Sequence, residues 1–482
     1  MINKALNRYK LVPIQVRASF WFLICAFLQR GISVITTPIF TRILTTEEYG
    51  EYNVFNSWLG IITVFITINL YAGVYTQGLV KFEKKRNEYS SSLQGLCLTL
   101  VLAWALIYLV FRDFWNEVFS LTTIEVLAMF LIIWTSAVFS FWSIEQRVDF
   151  QYRKLVLLTL VVSMATPIVG IIFTLNAENK VLARILATVI VQVIAYTSLF
   201  FSQMKRNGSF YSSEIWKYAL CYNIPLIPHY LSSSVLNSAD RIMIQEMIGG
   251  AEAGVYSLAY SISLMMTLFN QALMQTIEPW LYKKIKAKQI KDISQIAYPT
   301  FFMIAGMNIL LIAFAPEIVA IFAPVEYYDA IWIIPPVAMS VYFMFSYAFF
   351  AVFEFYFEKT KYITFATLMG AIVNIILNYI FIRIFGYYAA GYTTLVCYII
   401  YAILHYYFMK KICNEYLENV KVYNTKILLG ITVGFVCISF LLLFTYYNDL
   451  IRYLLIFSLL IGLFIKRNVV IKNIKKLLEL KK

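Results

Sequence analysis

One short pattern occurs twice in the chain and indicates how the chain is organised. "TTEEYGEYNVF" covers residues 45–55, and "GGAEAGVYSLA" covers residues 249–259. Both contain Glu-x-Gly-x-Tyr, beginning at Glu48 and Glu252, so the offset between the copies is 204 residues (252 − 48). The same pattern at a constant offset predicts that the chain has two related halves.

The chain is far more apolar than a soluble domain. Of its 482 residues, 61% are hydrophobic and 14% are charged, and the mean hydropathy is +0.73. Soluble domains are typically about 45–50% apolar and about 25% charged. A soluble core cannot bury this much apolar surface, so the composition predicts an integral membrane protein.

Fourteen segments approach the length of about 20 mostly apolar residues that a transmembrane helix needs. Twelve are free of charged residues: 52–80, 89–111, 126–144, 155–177, 185–204, 218–239, 253–277, 293–316, 330–353, 362–382, 384–409 and 427–448. Segment 18–41 is interrupted by Arg30, and segment 449–465 is short and contains Arg452. The sequence predicts an all-α protein with about 14 transmembrane helices.

Lysine and arginine alternate along these segments. Eight stretches hold 32 of the 40 basic residues: 1–17, 81–86, 145–154, 204–217, 283–291, 359–361, 410–426 and 466–482. Because cytoplasmic loops carry the excess of basic residues, this pattern predicts that both termini are cytoplasmic. It also accounts for the net charge of +14 without a nucleic-acid partner.

The two copies of the pattern follow the first and seventh predicted spans, so an even number of spans separates them. The halves are therefore expected to be parallel repeats around a central cavity. The predicted parts are an N-lobe of helices 1–6 (1–203), a cytoplasmic linker (204–217), a C-lobe of helices 7–12 (218–411), and helices 13–14 with a basic interfacial tail (412–482). Gly50 and Gly254 are expected to permit turns, and the tyrosine after each to lie at headgroup level.

Four stretches resemble polysaccharide flippases of the Wzx O-antigen type, in the multidrug/oligosaccharidyl-lipid/polysaccharide exporter superfamily. They are "TTPIFTRILTTEEYGEYNVFNSW" (36–58), "NSADRIMIQEMIGGAEAGVYSLAYSI" (237–262), "PEIVAIFAPVEYYDAIWIIPPVAMS" (316–340) and "NIILNYIFIRIFGYYAAGYTT" (374–394). The resemblance covers most of residues 18–410. Ala323 departs from an expected glycine, and the additional C-terminal helix pair departs from the twelve helices of many such flippases.

The resemblance implies a transporter rather than an enzyme, in the inner membrane of a bacterium and without a cofactor. Its substrate would be a polyprenyl-pyrophosphate-linked oligosaccharide, such as an O-antigen or capsule unit, moved to the outer leaflet by alternating access. Membrane lipids and a polysaccharide polymerase or glycosyltransferases would be its partners. H⁺ and Na⁺ are the candidate coupling ions.

Two alternatives share this architecture. A lipid II-type flippase stays open because of the additional helix pair, although several arginines would be expected in its first helix and only Arg30 lies deep here. A multidrug or cation antiporter would be expected to carry carboxylates in its first helix, and segment 18–41 has none. A membrane glycosyltransferase is disfavoured because the longest outer connection, 112–125, is too short for a catalytic loop.

Arg30 and His229 are the ionisable residues nearest the centres of their spans. An arginine at mid-bilayer costs about 2.5–3.5 kcal/mol on insertion scales, so it indicates a function by default. Arg30 is predicted to meet the substrate pyrophosphate or to form a structural pair. His229 follows Pro225 and Pro228, which permit a bend; it would titrate, bind sugar, or be satisfied by a carbonyl.

Other polar and aromatic residues at depth complete the predicted sites. Gln271, Gln275 and Glu278 form one helical stripe, in which Glu278 would couple an ion or pair with Lys283 or Lys284. Asn374 and Asn378 would line the cavity or join helices. Asp240 with Arg241 is predicted as an outer gate, and Glu354 as an inner one. Tyr71 and Tyr75 would stack on sugar rings or belong to the apolar surface.

Overall fold

The computed structural model describes residues 12–206, 209–418, 420–465 and 467–468, and every regular element in these ranges is helical. The α-helices are α1 (Ile14–Ile43), α2 (Thr46–Thr67), α3 (Val74–Lys81), α4 (Arg86–Val110), α5 (Arg112–Phe119), α6 (Thr123–Val148), α7 (Tyr152–Asn176), α8 (Lys180–Lys205), α9 (Ser213–Asn223), α10 (Ile227–Met247), α11 (Gly250–Leu264), α12 (Thr267–Lys286), α13 (Ile290–Ala313), α14 (Ala315–Phe322), α15 (Ile334–Tyr356), α16 (Thr360–Phe385), α17 (Tyr388–Tyr416), α18 (Thr425–Phe444) and α19 (Asp449–Ile465). Short 3₁₀ helices cover Glu83–Lys85, Ile224–Leu226, Val325–Trp332 and Thr445–Tyr447. The predicted interfacial tail, apart from residues 467–468, lies outside the described residues.

The chain divides into two compact units, residues 1–238 and residues 239–482. The division falls inside α10, later in the chain than the linker predicted at 204–217. His229 therefore belongs to the first unit and Asp240 to the second, although one helix carries both. The layout of two six-helix lobes stays a prediction.

Ten helical segments in the described ranges are long and apolar enough to cross a membrane: α1, α4, α6, α7, α8, α13, α15, α16, α17 and α18. Three other predicted spans are broken helices: α2 and α3 are separated by residues 68–73, α9 and α10 by a 3₁₀ turn, and α11 and α12 by residues 265–266. The last predicted span, α19, has only 17 residues. The protein is a multi-pass membrane protein, and the count of 14 spans stays a prediction.

The glycines of the repeated pattern do not form turns, and that expectation was wrong. Gly50 lies inside α2 and Gly254 inside α11, and both are buried helical residues without a positive φ. The glutamates instead lie in the first turns of the two helices. Thr45 caps α2 by accepting from the Glu48 N–H, and the Glu48 carboxylate accepts from the Thr45 N–H, which is a capping box. Glu252 occupies the same third position of α11.

Helix α15 forms the centre of the second unit. In an apolar stretch of 18 residues within α15, 83% of the residues are buried, compared with 11% in the corresponding stretch of α1. Helix α17 packs against both α15 and α16, and α11 packs against α15. Polar residues on the facing sides of these helices are therefore shielded from solvent and must be satisfied by each other.

Candidate functional site

Asp240 is the centre of a buried hydrogen-bond cluster in the second unit. Its side chain is 2% exposed. Oδ2 accepts from the Tyr256 hydroxyl and from the Thr394 hydroxyl, each at 2.7 Å. Oδ1 accepts from the Asn378 amide at 2.5 Å. The predicted gate residue is thus held by α11, α16 and α17, and Tyr256, expected at headgroup level, is fully buried.

The two asparagines of α16 extend this cluster. Asn374 and Asn378 are one helical turn apart, so their side chains lie on one face. The Asn378 amide also donates to Asn374 Oδ1 at 3.3 Å, and the Thr393 hydroxyl donates to Asn378 Oδ1. The Asn374 amide nitrogen is buried and has no hydrogen-bond partner among the described residues.

The cluster has the composition of a cation site. In the described part of the second unit, no lysine or arginine lies within 4 Å of the Asp240 carboxyl group, whose three donors are all neutral. A buried carboxylate without a counter-charge is costly, so a bound cation would stabilise it. Amide, hydroxyl and carboxylate oxygens suit a hard cation. The Arg241 guanidinium lies 4.3 Å from the centre of the Tyr260 ring.

A second candidate site lies in the first unit, where two broken spans meet. Ile68 and Asn69 end α2 with φ of 51° and 52°, and Gly73 precedes α3 with φ of 55°. The Asn223 amide donates to the carbonyls of Ile68 and Asn69, at 3.0 and 3.1 Å. Backbone strain of this kind concentrates at functional sites, and non-helical backbone at membrane depth must be buried or line a cavity.

Tyr71 and His229 lie in and beside these two breaks. Tyr71 is part of the connection between α2 and α3 and is half-buried, with its ring 6.1 Å from that of Phe141. His229 is in the first turn of α10, and its ring is 5.6 Å from that of Tyr230. The His229 Nδ1 atom is buried without a partner among the described residues. At Pro225, where a bend was predicted, a 3₁₀ turn interrupts the α-helix.

Tyr75, the other predicted sugar-stacking residue, belongs to the core of the first unit. It is fully buried, and its hydroxyl donates to Ser90 Oγ at 2.9 Å. Its ring lies 4.8 Å from Phe141 and 5.9 Å from Tyr89. Packing therefore accounts for both the ring and the hydroxyl of Tyr75.

Arg30, Gln271 and Gln275 are exposed polar side chains on apolar helices. Arg30 is near the middle of α1 and makes no hydrogen bond or ion pair with other described residues of the first unit. Gln271 and Gln275 are exposed along one face of α12. Because lipid would not satisfy them, such groups are expected to face water or a ligand.

Glu278, the third residue of that stripe, is half-buried and accepts from the Tyr282 hydroxyl at 3.0 Å. The alternative pairing with Lys284 was wrong, because Lys284 bonds Asp292 at 2.7 Å. No ion pair with Lys283 is present among the described residues. Glu278 is therefore a carboxylate with one neutral donor.

Glu354 forms a pair that the sequence did not indicate. Its Oε1 lies 2.7 Å from His405 Nδ1, and both side chains are fully buried between α15 and α17. Tyr401 and Tyr347 enclose the imidazole, with ring centres 4.5 and 5.5 Å away. Glu354 Oε2 and His405 Nε2 have no partner among the described residues. The available sequence signal was a carboxylate directly after the predicted span 330–353 and a histidine inside the predicted span 384–409.

Comparison of the sequence places the chain among proteins of polysaccharide biosynthesis. A family model described as "Polysaccharide biosynthesis protein" matches residues 16–284, which is more than half of the chain. An uncharacterized membrane protein of Haemophilus influenzae is 21% identical over 379 residues, covering 74% of this chain and 88% of the relative.

Solved structures share the fold. The lipid II flippase MurJ, in an inward closed conformation, superposes with a TM-score of 0.70 at 15% identity, covering 93% of this chain and 99% of that one. A multidrug resistance MATE family transporter of the MOP superfamily, facing inward, gives a TM-score of 0.63 at 15% identity, covering 82% and 96%. The chain therefore has the fold of these transporters and belongs to the polysaccharide biosynthesis protein family.

Proposed function

We propose that this protein is a flippase that moves a polyprenyl-pyrophosphate-linked oligosaccharide from the cytoplasmic to the outer leaflet by alternating access. The family match points to polysaccharide synthesis, and the fold is that of transporters. The observation that carries the proposal is Arg30, an exposed guanidinium halfway along an apolar helix that contains no carboxylate.

The pyrophosphate of the substrate is the proposed partner of Arg30. A guanidinium presents a planar fork of donors that can bind two phosphate oxygens at once. This interaction offsets the cost of placing an arginine in the bilayer. Tyr71 and His229 at the broken spans, with Gln271 and Gln275 on α12, would contact the sugar through ring faces and hydrogen bonds.

The Asp240 cluster is the proposed ion-coupling site. Asp240 has three neutral donors, and the asparagines of α16 supply further oxygen atoms. Binding of Na⁺ or H⁺ would neutralise the buried carboxylate, so the gradient of that ion would drive the transport cycle. Glu278, with a single neutral donor, is the second proposed carboxylate for coupling.

A lipid II-type glycolipid is the second candidate substrate, because the MurJ fold covers 93% of this chain. The two candidates share the polyprenyl-pyrophosphate group and differ in the glycan. A cation antiporter is disfavoured by the positive charge of α1. The protein would therefore select between these two substrates through contacts with the sugar, because Arg30 would contact the pyrophosphate that both share.

Reconstituted protein tests the proposal. Proteoliposomes are loaded with a fluorescent polyprenyl-pyrophosphate glycan, and quenching by a membrane-impermeant reductant reports its arrival in the exposed leaflet. We expect translocation by the protein above that of empty liposomes, and no uptake of a cationic dye. Dye uptake without glycolipid translocation would assign the protein to the antiporters.

A further inference from the structure

A lysine-rich cavity of about 840 Å³ lies in the second unit. It is formed by the start of α13, the end of α17, the connection that follows it, and the start of α18. Its lining contains no aspartate or glutamate and four lysines: Lys291, Lys410, Lys421 and Lys426. Lys410 is 16 residues from Thr394 along α17, about 24 Å at 1.5 Å per residue, so this lysine cavity is separate from the Asp240 cluster.

The four lysines of the cavity are not neutralised by the protein. All four are exposed, and none forms an ion pair within the described ranges. The nearby carboxylates are paired with other lysines: Asp292 with Lys284 at 2.7 Å, Glu415 with Lys359 at 3.7 Å, and Glu418 with Lys288 at 3.2 Å. The lysine cavity thus concentrates positive charge that only a ligand or solvent ions can balance.

Two tyrosines add hydrogen-bond donors at the wall of the cavity. Tyr423 is 6% exposed, and its hydroxyl has no partner among the described residues. Burial raises the pKa of Tyr423 well above its ordinary value, so the hydroxyl keeps its proton. The Tyr298 oxygen accepts from the Asn424 N–H at 2.6 Å, which leaves the Tyr298 proton to donate. Lysines with neutral O–H donors form a suitable site for a phosphate group.

Two apolar clefts adjoin the lysine cavity, and each shares lining residues with it. Tyr406 and Thr425 also line a cleft of about 140 Å³ between phenylalanine and leucine side chains of α13, α15 and α18. Tyr298 also lines a cleft of about 850 Å³ between α13, α18 and α19. Four glycines open the second cleft, because a Cβ added at any of them would meet no atom within 4 Å: Gly306, Gly430, Gly434 and Gly462.

We propose that the lysine cavity binds the phosphate headgroup of an anionic phospholipid, with its two acyl chains in the two adjoining clefts. Basic pockets between transmembrane helices on the cytoplasmic side bind anionic headgroups, and the basic-residue pattern predicts that this end of the unit is cytoplasmic. The two apolar clefts favour a lipid over a soluble phosphate. The site is independent of the transported substrate.

Native mass spectrometry of the purified full chain in detergent tests this inference. The probes are phosphatidylglycerol and phosphatidylcholine with the same acyl chains, and inorganic pyrophosphate as the soluble anion. We expect phosphatidylglycerol to be retained at least about tenfold better than phosphatidylcholine. The variant Lys410→Ala/Lys421→Ala/Lys426→Ala should lose that preference, and Tyr423→Phe should weaken it by a few-fold.

A matched control carries Lys84→Ala, Lys85→Ala and Lys154→Ala, which removes three exposed lysines of the first unit. This variant should keep the preference for phosphatidylglycerol. Equal retention of both lipids by the wild type would overturn the proposal, as would equal loss in the control variant. Lysine-dependent binding of pyrophosphate without binding of phosphatidylglycerol would show a soluble-anion site instead.

Discussion

At the scale of single residues, the buried carboxylates Asp240 and Glu354 of the second unit are hydrogen-bonded to specific side chains. Asp240 accepts only from neutral donors, and Glu354 is bonded to His405 through one of its two oxygens. Inside a membrane protein, an unsatisfied polar group costs several kcal/mol because water is absent. Conservative substitutions here are therefore expected to alter ion binding and stability strongly.

The first prediction concerns the Asp240 carboxylate. Na⁺, compared with choline, should raise the Tm of the purified wild type, because the bound cation neutralises the buried charge. Asp240→Asn should abolish that response, since the charge is gone. Tyr256→Phe removes one donor and keeps the charge, so it should lower the Tm and leave the response in place. An undiminished response in Asp240→Asn would exclude this carboxylate as the ion site.

The second prediction concerns the pair of Glu354 and His405. Replacing one partner by glutamine should lower the free energy of unfolding by about 1–3 kcal/mol, because the hydrogen bond between the two side chains is weakened in a buried place. The double variant Glu354→Gln/His405→Gln should lose at least about 1 kcal/mol less than the sum of the single variants. Denaturant titration in detergent micelles measures all four proteins. Additive losses would contradict an energetic coupling between the two side chains.

At the scale of elements, one break in a transmembrane helix could be predicted from the sequence and another could not. Pro225 and Pro228 indicated the break before α10, because proline removes a backbone donor. The break at residues 68–73 has no such signal: its apolar sequence continues the span, and Ile68 adopts a left-handed conformation that its own side chain disfavours. Tertiary contacts, chiefly the Asn223 amide, hold that conformation.

Asn223→Ala tests this junction. It should lower the free energy of unfolding by about 1–3 kcal/mol, because the carbonyls of Ile68 and Asn69 lose their donor in a buried place. Asn176→Ala is the matched control, since Asn176 is exposed and donates only to the Ile172 carbonyl of its own helix. Thermal unfolding in micelles compares the two variants. Equal effects would show that the junction is not stabilised by Asn223.

A substitution at Gly78 tests the packing of α3 against α4. A Cβ at Gly78 would lie 2.0 Å from the Tyr89 ring, which is fully buried and donates its hydroxyl to the Val74 carbonyl. Gly78→Ala should therefore lower the free energy of unfolding by about 1–3 kcal/mol or more. Gly306→Ala, where the added carbon meets nothing, should be neutral or stabilising. The packing of α3 on α4 would be wrong if both variants unfolded alike.

At the scale of the whole molecule, composition was sufficient to predict a multi-pass helical protein, and the resemblance of four sequence stretches predicted its family. They could not predict the clusters, because hydrogen-bond partners such as Asp240 and Thr394 are 154 residues apart in sequence. The periodicity of a sequence identifies the polar face of a helix, but it does not identify the neighbouring helix against which that face packs. The partnership of His405 with Glu354, 51 residues apart, is likewise decided by packing.

Arg30 is proposed to bind the pyrophosphate of the substrate, and the rate at which proteoliposomes translocate the labelled polyprenyl-pyrophosphate glycan measures that contribution. Arg30→Ala should slow translocation by roughly 10–100-fold, since a hydrogen bond to a charged group contributes about 1.5–3 kcal/mol. Arg30→Lys should retain part of the rate as a single point charge, and Arg383→Ala, at the end of α16, should leave it unchanged. Full translocation by correctly inserted Arg30→Ala would show that Arg30 does not bind the pyrophosphate of the substrate.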